Sequence, residues 1–259
     1  KSASTINATP PPRYIPQNTF DITSSIQDSV ETTVPLTLDI SSSIGMEVDT
    51  LELALEIGVE QTIQRHIKPA AESVAQDIEQ RLIEKATKAV SNHTGTPGSN
   101  TFAIADVQNA KAKLDQFLAP KDKNRCLLLD SASGAEAVTA RSALFQSSAR
   151  IAEQYEDGYV GRADGFNWME NELLYTHTNG ADVAGGTIND ASVSEGSSTI
   201  TVDGFSSAPA VGSVLTIAGV NAVHPITKKD TGRLQQFVVT SATTTELGIS
   251  PSLYAASNG

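Results

Sequence analysis

"GYVGRADGFNWMENELLYTHTNG", Gly158 to Gly180, gathers glycines, two tyrosines, the chain's only tryptophan and a histidine into one short run. Three readings compete for it: a ligand-binding loop, a catalytic loop, or a packing device inside a larger assembly. Gly158, Gly161 and Gly165 are spaced G-x-x-G-x-x-x-G, which is neither the dinucleotide fingerprint nor the phosphate loop, and no helical pattern opens behind them. Glycines do permit positive φ and close backbone approach. Tyr159, Phe166, Trp168 and Tyr175 concentrate large apolar area in a chain that is only 5% aromatic. The run therefore reads as a packing segment centred on Gly158, Tyr159, Gly161, Gly165, Phe166 and Trp168. An ordinary hairpin of a domain core would show the same burial.

Upstream, Ile104, Val107, Leu114 and Phe117 mark an amphipathic helix stopped by Pro120. "RCLLLD", Arg125 to Asp130, reads as a short buried strand, and "SASGAEAVTARSALFQ" reopens as a helix. A serine at a strand-to-helix turn invites a hydrolase reading, which needs G-x-S-x-G so that the backbone can turn tightly under the nucleophile. The flanking positions are Leu129 and Ser133 around Ser131, and Ser131 and Ala135 around Ser133, so the motif fails at both. Ser133 and Glu136 instead predict an S-x-x-E capping box.

Further upstream, Val59, Ile63 and Ile67 recur every four residues, and Val74, Ile78, Leu82 and Ala86 continue the stripe toward Val90. Glu72, Asp77, Glu79, Arg81, Glu84, Lys85 and Lys88 form the other face. The spacing predicts a long amphipathic helix whose stripe packs in a core, with Pro69 either kinking it or lying in its first turn. "MEVDTLELALEIG", Met46 to Gly58, reads as a short acidic helix ended by glycine. Between Tyr14 and Ile44, the residues Val30, Val34, Leu36, Leu38, Ile40 and Ile44 alternate with polar ones, as in a half-buried antiparallel strand, and Pro35 marks an edge or a bulge. Either this is one sheet edge of an ordinary domain, or it is a projecting hairpin whose apolar face another subunit covers. Lys1 to Pro12 reads as an extended arm.

Downstream of Gly180 the composition changes. "ADVAGGTINDASVSEGSS" reads as a linker. Four Thr/Val/Ile-rich strands follow, at Ser198–Val202, Ser213–Val220, Leu234–Ala242 and in "TELGISPSL", which predicts a small barrel or sandwich. "NAVHPITKKDTGRL" reads as a polar loop with Lys228, Lys229 and Asp230 near its tip, and solvated surface is the ordinary role for such residues.

The bounds agree with a globular chain: 259 residues, 39% hydrophobic and 19% charged. A net charge of −12 argues against a nucleic-acid wrapper, which would carry a basic stripe. Cys126 is the only cysteine, so no disulfide framework exists within the chain, which suits a cytoplasmic origin. No apolar run reaches the length of a membrane span. His66, His93, His177 and His224 are scattered without metal-ligand spacing, so no metal, cofactor or catalytic constellation is expected. Asn7-Ala-Thr9 and Asn92-His-Thr94 match the glycosylation acceptor, a pattern short enough to arise by chance.

"DGYVGRADGFNWMENELLYTHTNG", a Gly/Ser linker, "GSVLTIAGVNAVHPITKKDTGRLQQFVVT" and "LGISPSL" together resemble the major coat proteins of tailed bacteriophages. The similarity is to the subfamily of Salmonella short-tailed phages, whose subunit carries an extra inserted β-domain. The resemblance implies an α+β chain with the phage major capsid fold named after phage Hong Kong ninety-seven. It implies an N-terminal arm at 1–13, an extended loop at 14–45, a peripheral domain with a spine helix at 46–100, an axial domain at 101–185, and an inserted β-domain at 186–259. Such chains continue past the insertion, so a further segment completing the axial domain is expected beyond Gly259.

The function implied is structural: self-assembly as hexamers and pentamers into an icosahedral virion shell enclosing double-stranded DNA. Scaffolding protein and portal would take part in the host bacterial cytoplasm, with no membrane and no cofactor. Val34, Leu36, Leu38 and Ile40 become candidate contacts to a neighbouring subunit, as do Lys228, Lys229 and Asp230. Some relatives crosslink through a lysine of the extended loop; here no lysine lies between Lys1 and Lys68, so none is expected to start there. Two other classes compete. A β-rich surface adhesion module fits the Thr/Ser-rich strands but not the long helix, and a hydrolase lacks any assembled site.

Overall fold

The computed structural model describes residues 5–11, 14, 20–23, 26, 28, 31, 33–46, 63–95, 102–142, 161–178, 180, 186–190 and 193–254. The helix expected at Met46–Gly58 beyond its first residue, the residues Gly158 and Tyr159, and residues 181–185 and 191–192 of the linker after Gly180 lie outside them. Helix and strand are mixed, as an α+β chain requires, and the described strands form three separate sheets.

Strand β1 (Thr5–Ala8) pairs antiparallel with β2 (Val34–Thr37), matching Thr5 to Thr37, Ile6 to Leu36, Asn7 to Pro35 and Ala8 to Val34. The alternation expected through Tyr14–Ile44 thus yields a strand only at 34–37 among the described residues. Its partner is the arm rather than a second strand of the same loop. Pro35 is tolerated because the ribbon has two strands, so each has an edge free of ladder bonds.

A π-helical turn, Ile63–Ile67, leads into helix α1 (Lys68–Ala89). Pro69 lies in the first turn of α1, where its missing N–H would have had no helical partner. The expectation that the α1 stripe packs in a core is overturned. No described residue of α1 is fully buried, and Ile67, Ile78 and Leu82 are 48%, 41% and 58% exposed. The half-buried positions are Ala70, Val74, Asp77, Ile83, Glu84 and Lys88. The side turned toward its own chain therefore mixes apolar and charged residues, and of the predicted stripe it takes Val74 while Ile67, Ile78 and Leu82 stay exposed.

Helix α2 (Ile104–Gln116), strand β3 (Cys126–Leu129) and helix α3 (Ser131–Ser142) follow in the order expected. Strand β4 (Arg162–Ala163) and strand β5 (Phe166–Glu170) form a hairpin, and β5 also runs parallel to β3, giving the order β3–β5–β4. Val107, Ala137, Phe166 and Trp168 form the core here, with Phe102, Leu127, Leu129, Val138 and Ala163 packed around them. β3 is less buried than expected. Cys126 and Leu128 are exposed and only the alternate face, Leu127 and Leu129, meets the core, because no layer among the described residues covers its other side.

The capping box at Ser133 is also overturned. α3 already begins at Ser131, whose N–H donates to Glu172 Oε1 at 2.9 Å, while Glu136 Oε2 accepts from the Phe102 N–H at 2.8 Å. A carboxylate distant in sequence supplies the N-terminal partner that the box would have supplied locally.

The last sheet contains β6 (Thr187–Ile188), β7 (Thr199–Asp203), β8 (Val214–Val223), β9 (Asp230–Ala242) and β10 (Glu246–Ser250). It is antiparallel, in the order β6–β7–β10–β9–β8. Two expectations change. Thr187–Ile188 is a strand inside the stretch read as linker, and the loop read as "NAVHPITKKDTGRL" is a β8–β9 hairpin open only at 224–229. The barrel or sandwich is, among the described residues, a single sheet whose end strands do not pair with each other. Ile200, Val202, Phe237, Leu247 and Ile249 make its core. Phe237, Val238 and Val239 are all essentially inaccessible, so β9 is covered on both faces at this point.

Candidate functional site

The packing segment is a tight hairpin. Asp164 and Gly165 sit at φ 54° and 87°, and Ala163 faces Phe166 across them, the two-residue turn that Asp-Gly favours. Gly161, at φ 70°, accepts from the Trp168 N–H through its carbonyl at 2.9 Å. Trp168 Nε1–H donates to the Ala163 carbonyl at 3.1 Å, so the buried indole leaves no orphan donor. Phe166 and Trp168 are each 3% exposed. The Asp164-Gly165 dipeptide between alternating apolar residues was the local signal for this turn.

The β1–β2 ribbon is amphipathic across both strands. Its register places Ile6, Ala8, Val34 and Leu36 on one face and Thr5, Asn7, Pro35 and Thr37 on the other. The apolar face is bare: Ile6 is 60% exposed, Val34 56%, Leu36 61%, and the following Leu38 65%. Ile40 is half-buried. Ile6 belongs to this face although it lies in the arm; four residues are too few for its alternation to stand out.

Beyond the ribbon the chain is tied to α1. Asp39 and Lys85 form an ion pair, and Lys85 holds the Asp39 carboxyl below the usual carboxylate range. Arg81 Nη1 lies 3.5 Å from the Ser41 carbonyl, and Asn171 Nδ2 donates to Glu79 Oε1 at 2.7 Å. The charged edge of α1 thus faces its own chain and leaves Ile67, Ile78 and Leu82 uncovered.

Lys228, Lys229 and Asp230 lie at the β8–β9 turn, and two of the three are engaged within the chain. Lys228, at φ 55°, sets its Nζ 4.4 Å from the centre of the Tyr254 ring. Asp230 accepts from the Gly232 N–H at 2.7 Å and from Asn221 Nδ2 at 3.1 Å, and these bonds lower its carboxyl's proton affinity. Lys229 is exposed. His224 Nδ1 accepts from the Thr227 N–H at 3.2 Å, which shapes the turn.

Among the described residues, two of the contacts that join the last sheet to the helices were announced by nothing in the sequence. In one, the His93 N–H donates to Gln236 Oε1 on β9 at 3.1 Å, across 143 positions of sequence. Lys113 of α2 donates to the His93 carbonyl at 2.6 Å and also to Gln236 Oε1. Burial, then the Lys113 charge, pushes the His93 proton affinity down, and burial lowers that of Lys113. In the other contact, Lys88 of α1 pairs with Glu84 at 2.6 Å, which raises its proton affinity, and lies 5.0 Å from the centre of the Tyr175 ring. His177 Nε2 and Ser213 Oγ are 3.2 Å apart.

Among the described residues no three His, Cys, Asp or Glu are grouped to hold a metal. A cavity of about 490 Å³ opens over the last sheet's apolar face, lined by residues such as Ile188, Phe205, Leu215 and Leu247, with no titratable group in its wall. No described helix is long and apolar enough to cross a membrane.

No curated protein matches the chain. A solved chain from Mycobacterium phage Che8 is similar at 15% identity and a TM-score of 0.46, covering 96% of this chain and 80% of that one. Residues 11–259 match the family described as P22 coat protein, gene protein 5. By that match over nearly its whole length, the chain belongs to the P22 coat protein family: it is a phage major capsid protein, structural and non-enzymatic, that works by assembling with copies of itself.

Proposed function

We propose that copies of this chain assemble as hexamers and pentamers into an icosahedral shell enclosing double-stranded DNA. Scaffolding protein and portal would act during assembly in the host bacterial cytoplasm. The observation that carries this reading is the bare apolar face formed by Ile6, Val34 and Leu36, extended by Leu38. A lone chain gains nothing from holding such a face in water, where burial contributes roughly 25 cal/mol per Å². Obligate assemblies bury on the order of 2,000 Å² or more between subunits, which gives such surfaces a use.

On this reading residues 1–13 are the arm, 14–45 the extended loop, 46–100 the peripheral domain, 101–185 the axial domain and 186–259 the inserted β-domain. Val34, Leu36, Leu38 and Ile40 contact a neighbour. The inserted domain chiefly stabilises its own subunit: the contacts of Lys228 with Tyr254 and of Asp230 with Asn221 and Gly232 support that role over a bridge between capsomers. An acidic chain, with net charge −12, suits confinement of DNA without sequence-specific grip.

The test is electron microscopy of the chain expressed in bacteria with and without its neighbouring phage genes. Closed shells in either condition support the proposal, and their dependence on the neighbouring genes reports the need for a scaffold. Monodisperse monomers in both conditions refute it.

A further inference from the structure

Both of these contacts between the last sheet and the helices carry a histidine in the same unusual state. The Nδ1 atoms of His93 and His177 are buried without a hydrogen-bond partner. Each ring sits near a lysine: Lys113 for His93, and Lys88, by way of the Tyr175 ring, for His177. A neutral imidazole leaves only an unfilled lone pair at such an atom. At His93 a protonated ring must bury an N–H with nothing to receive it, on a cation already beside Lys113.

The surrounding charges are few. Around His93, α2 contributes Lys113 and the Asp106 carboxylate, which lies beside Gly95, while Gln236 of β9 is neutral and Arg233 lines the same cleft as Lys113 and Gln236. Around His177, α1 contributes Lys88 with its partner Glu84, and the sheet contributes Ser213. Asp106 turns to Gly95 and Glu84 is engaged by Lys88, so neither receives a proton from the orphan nitrogens. Packing leaves no slack for a new partner either. A Cβ built on Gly212, at φ 95°, would lie 2.8 Å from Lys88 Cγ and 3.2 Å from His177 Cε1.

We propose that His93 forms an acid-sensitive latch, which holds the last sheet against the helices at this contact while its ring is neutral and releases it when the ring takes up a proton. For a histidine whose proton affinity is lowered on folding, as at His93, the contact is fully present above the ordinary imidazole range. It is lost as pH falls below that range, because the released state binds more protons. The sheet has its own core, Ile200, Val202, Phe237, Leu247 and Ile249, so it can part from the helices without unfolding.

Hydrogen exchange on the full chain, corrected for intrinsic rates, tests the latch. Between about pH 7.5 and about pH 5.5, protection across 86–93 should fall by up to about tenfold. The amide of Ile249, bonded to the Ser198 carbonyl, should stay protected as the sheet's internal control. The H93Q variant, which cannot take up this proton, should keep its protection at both pH values. Unchanged protection in the wild type, or an equal loss in the variant, overturns the proposal. Should the variant misfold, NMR titration of the wild-type His93 ring decides. The loss of protection must follow the protonation of His93, and a loss that does not follow it refutes the latch.

Discussion

The indole of Trp168 meets the ring of Phe102 edge-on, with centroids 6.0 Å apart and planes at 63°. This contact joins the β5 hairpin to a residue two positions before α2, and the same Phe102 offers its backbone N–H to Glu136 of α3. Three elements therefore meet at one residue. Trp168→Ala should destabilise the subunit by about 3–5 kcal/mol, and assembly should fail with it. Trp168→Phe, which keeps the ring packing and loses the bond to the Ala163 carbonyl, should cost about 1 kcal/mol. Urea unfolding followed by circular dichroism measures both, and an unchanged midpoint in Trp168→Ala would show that the segment is not a packing device.

Gly165 separates backbone strain from crowding. A Cβ there would come no closer than 3.6 Å to Lys111, an ordinary contact, yet φ is 87°. Gly165→Ala should therefore cost about 1 kcal/mol from the left-handed backbone alone. Gly165→Asn should recover much of that, since Asn tolerates this region better. Equal losses in the two variants would point to side-chain crowding instead.

The Asp39–Lys85 pair predicts an acid-labile anchor for the segment after β2. Lys85 lowers the Asp39 proton affinity, so the anchor is present above the ordinary carboxylate range and is lost as pH falls below about 4. Exchange of the amides at 39–44 should rise in that window and also with added salt, because both groups are exposed. Asp39→Asn should show the fast exchange already at neutral pH.

At the β8–β9 turn the two lysines should behave differently. Lys228→Glu loses the contact with Tyr254 and should weaken the sheet by about 0.5–1 kcal/mol. Lys229→Glu should leave both fold and assembly intact. A folded Lys229→Glu subunit that no longer assembles would reinstate a bridge between capsomers through this turn.

No lysine lies between Lys1 and Lys68, so no covalent link between subunits should begin in the loop at 14–45. Assembled material boiled in denaturant without reductant should run as a single band. A ladder of covalent multimers would contradict this.

By itself the sequence determined the elements whose information is local. The 3.6-residue period marked α1 and α2, alternation marked β7 and β2, and Asp164-Gly165 encoded the hairpin turn. Phe166 and Trp168 were legible as core from size and apolarity. The family was legible too, from the runs around Trp168 and through β8 and β9.

Only the tertiary structure decided what each apolar face meets. β2 took the arm as its partner, with Thr5 Oγ1 and Thr37 Oγ1 3.4 Å apart, and β3 took β5 in parallel. Ser131 found its partner in Glu172 rather than in a local box. Most of the α1 stripe, at Ile67, Ile78 and Leu82, stayed exposed, and His93 met Gln236 across 143 positions. The physical reason is common to all of these. Periodicity along a chain states which side of an element avoids water, but the partner that covers that side is chosen by the closure of long loops and by packing. That choice is a property of the whole chain, and of its neighbours, which no local window contains.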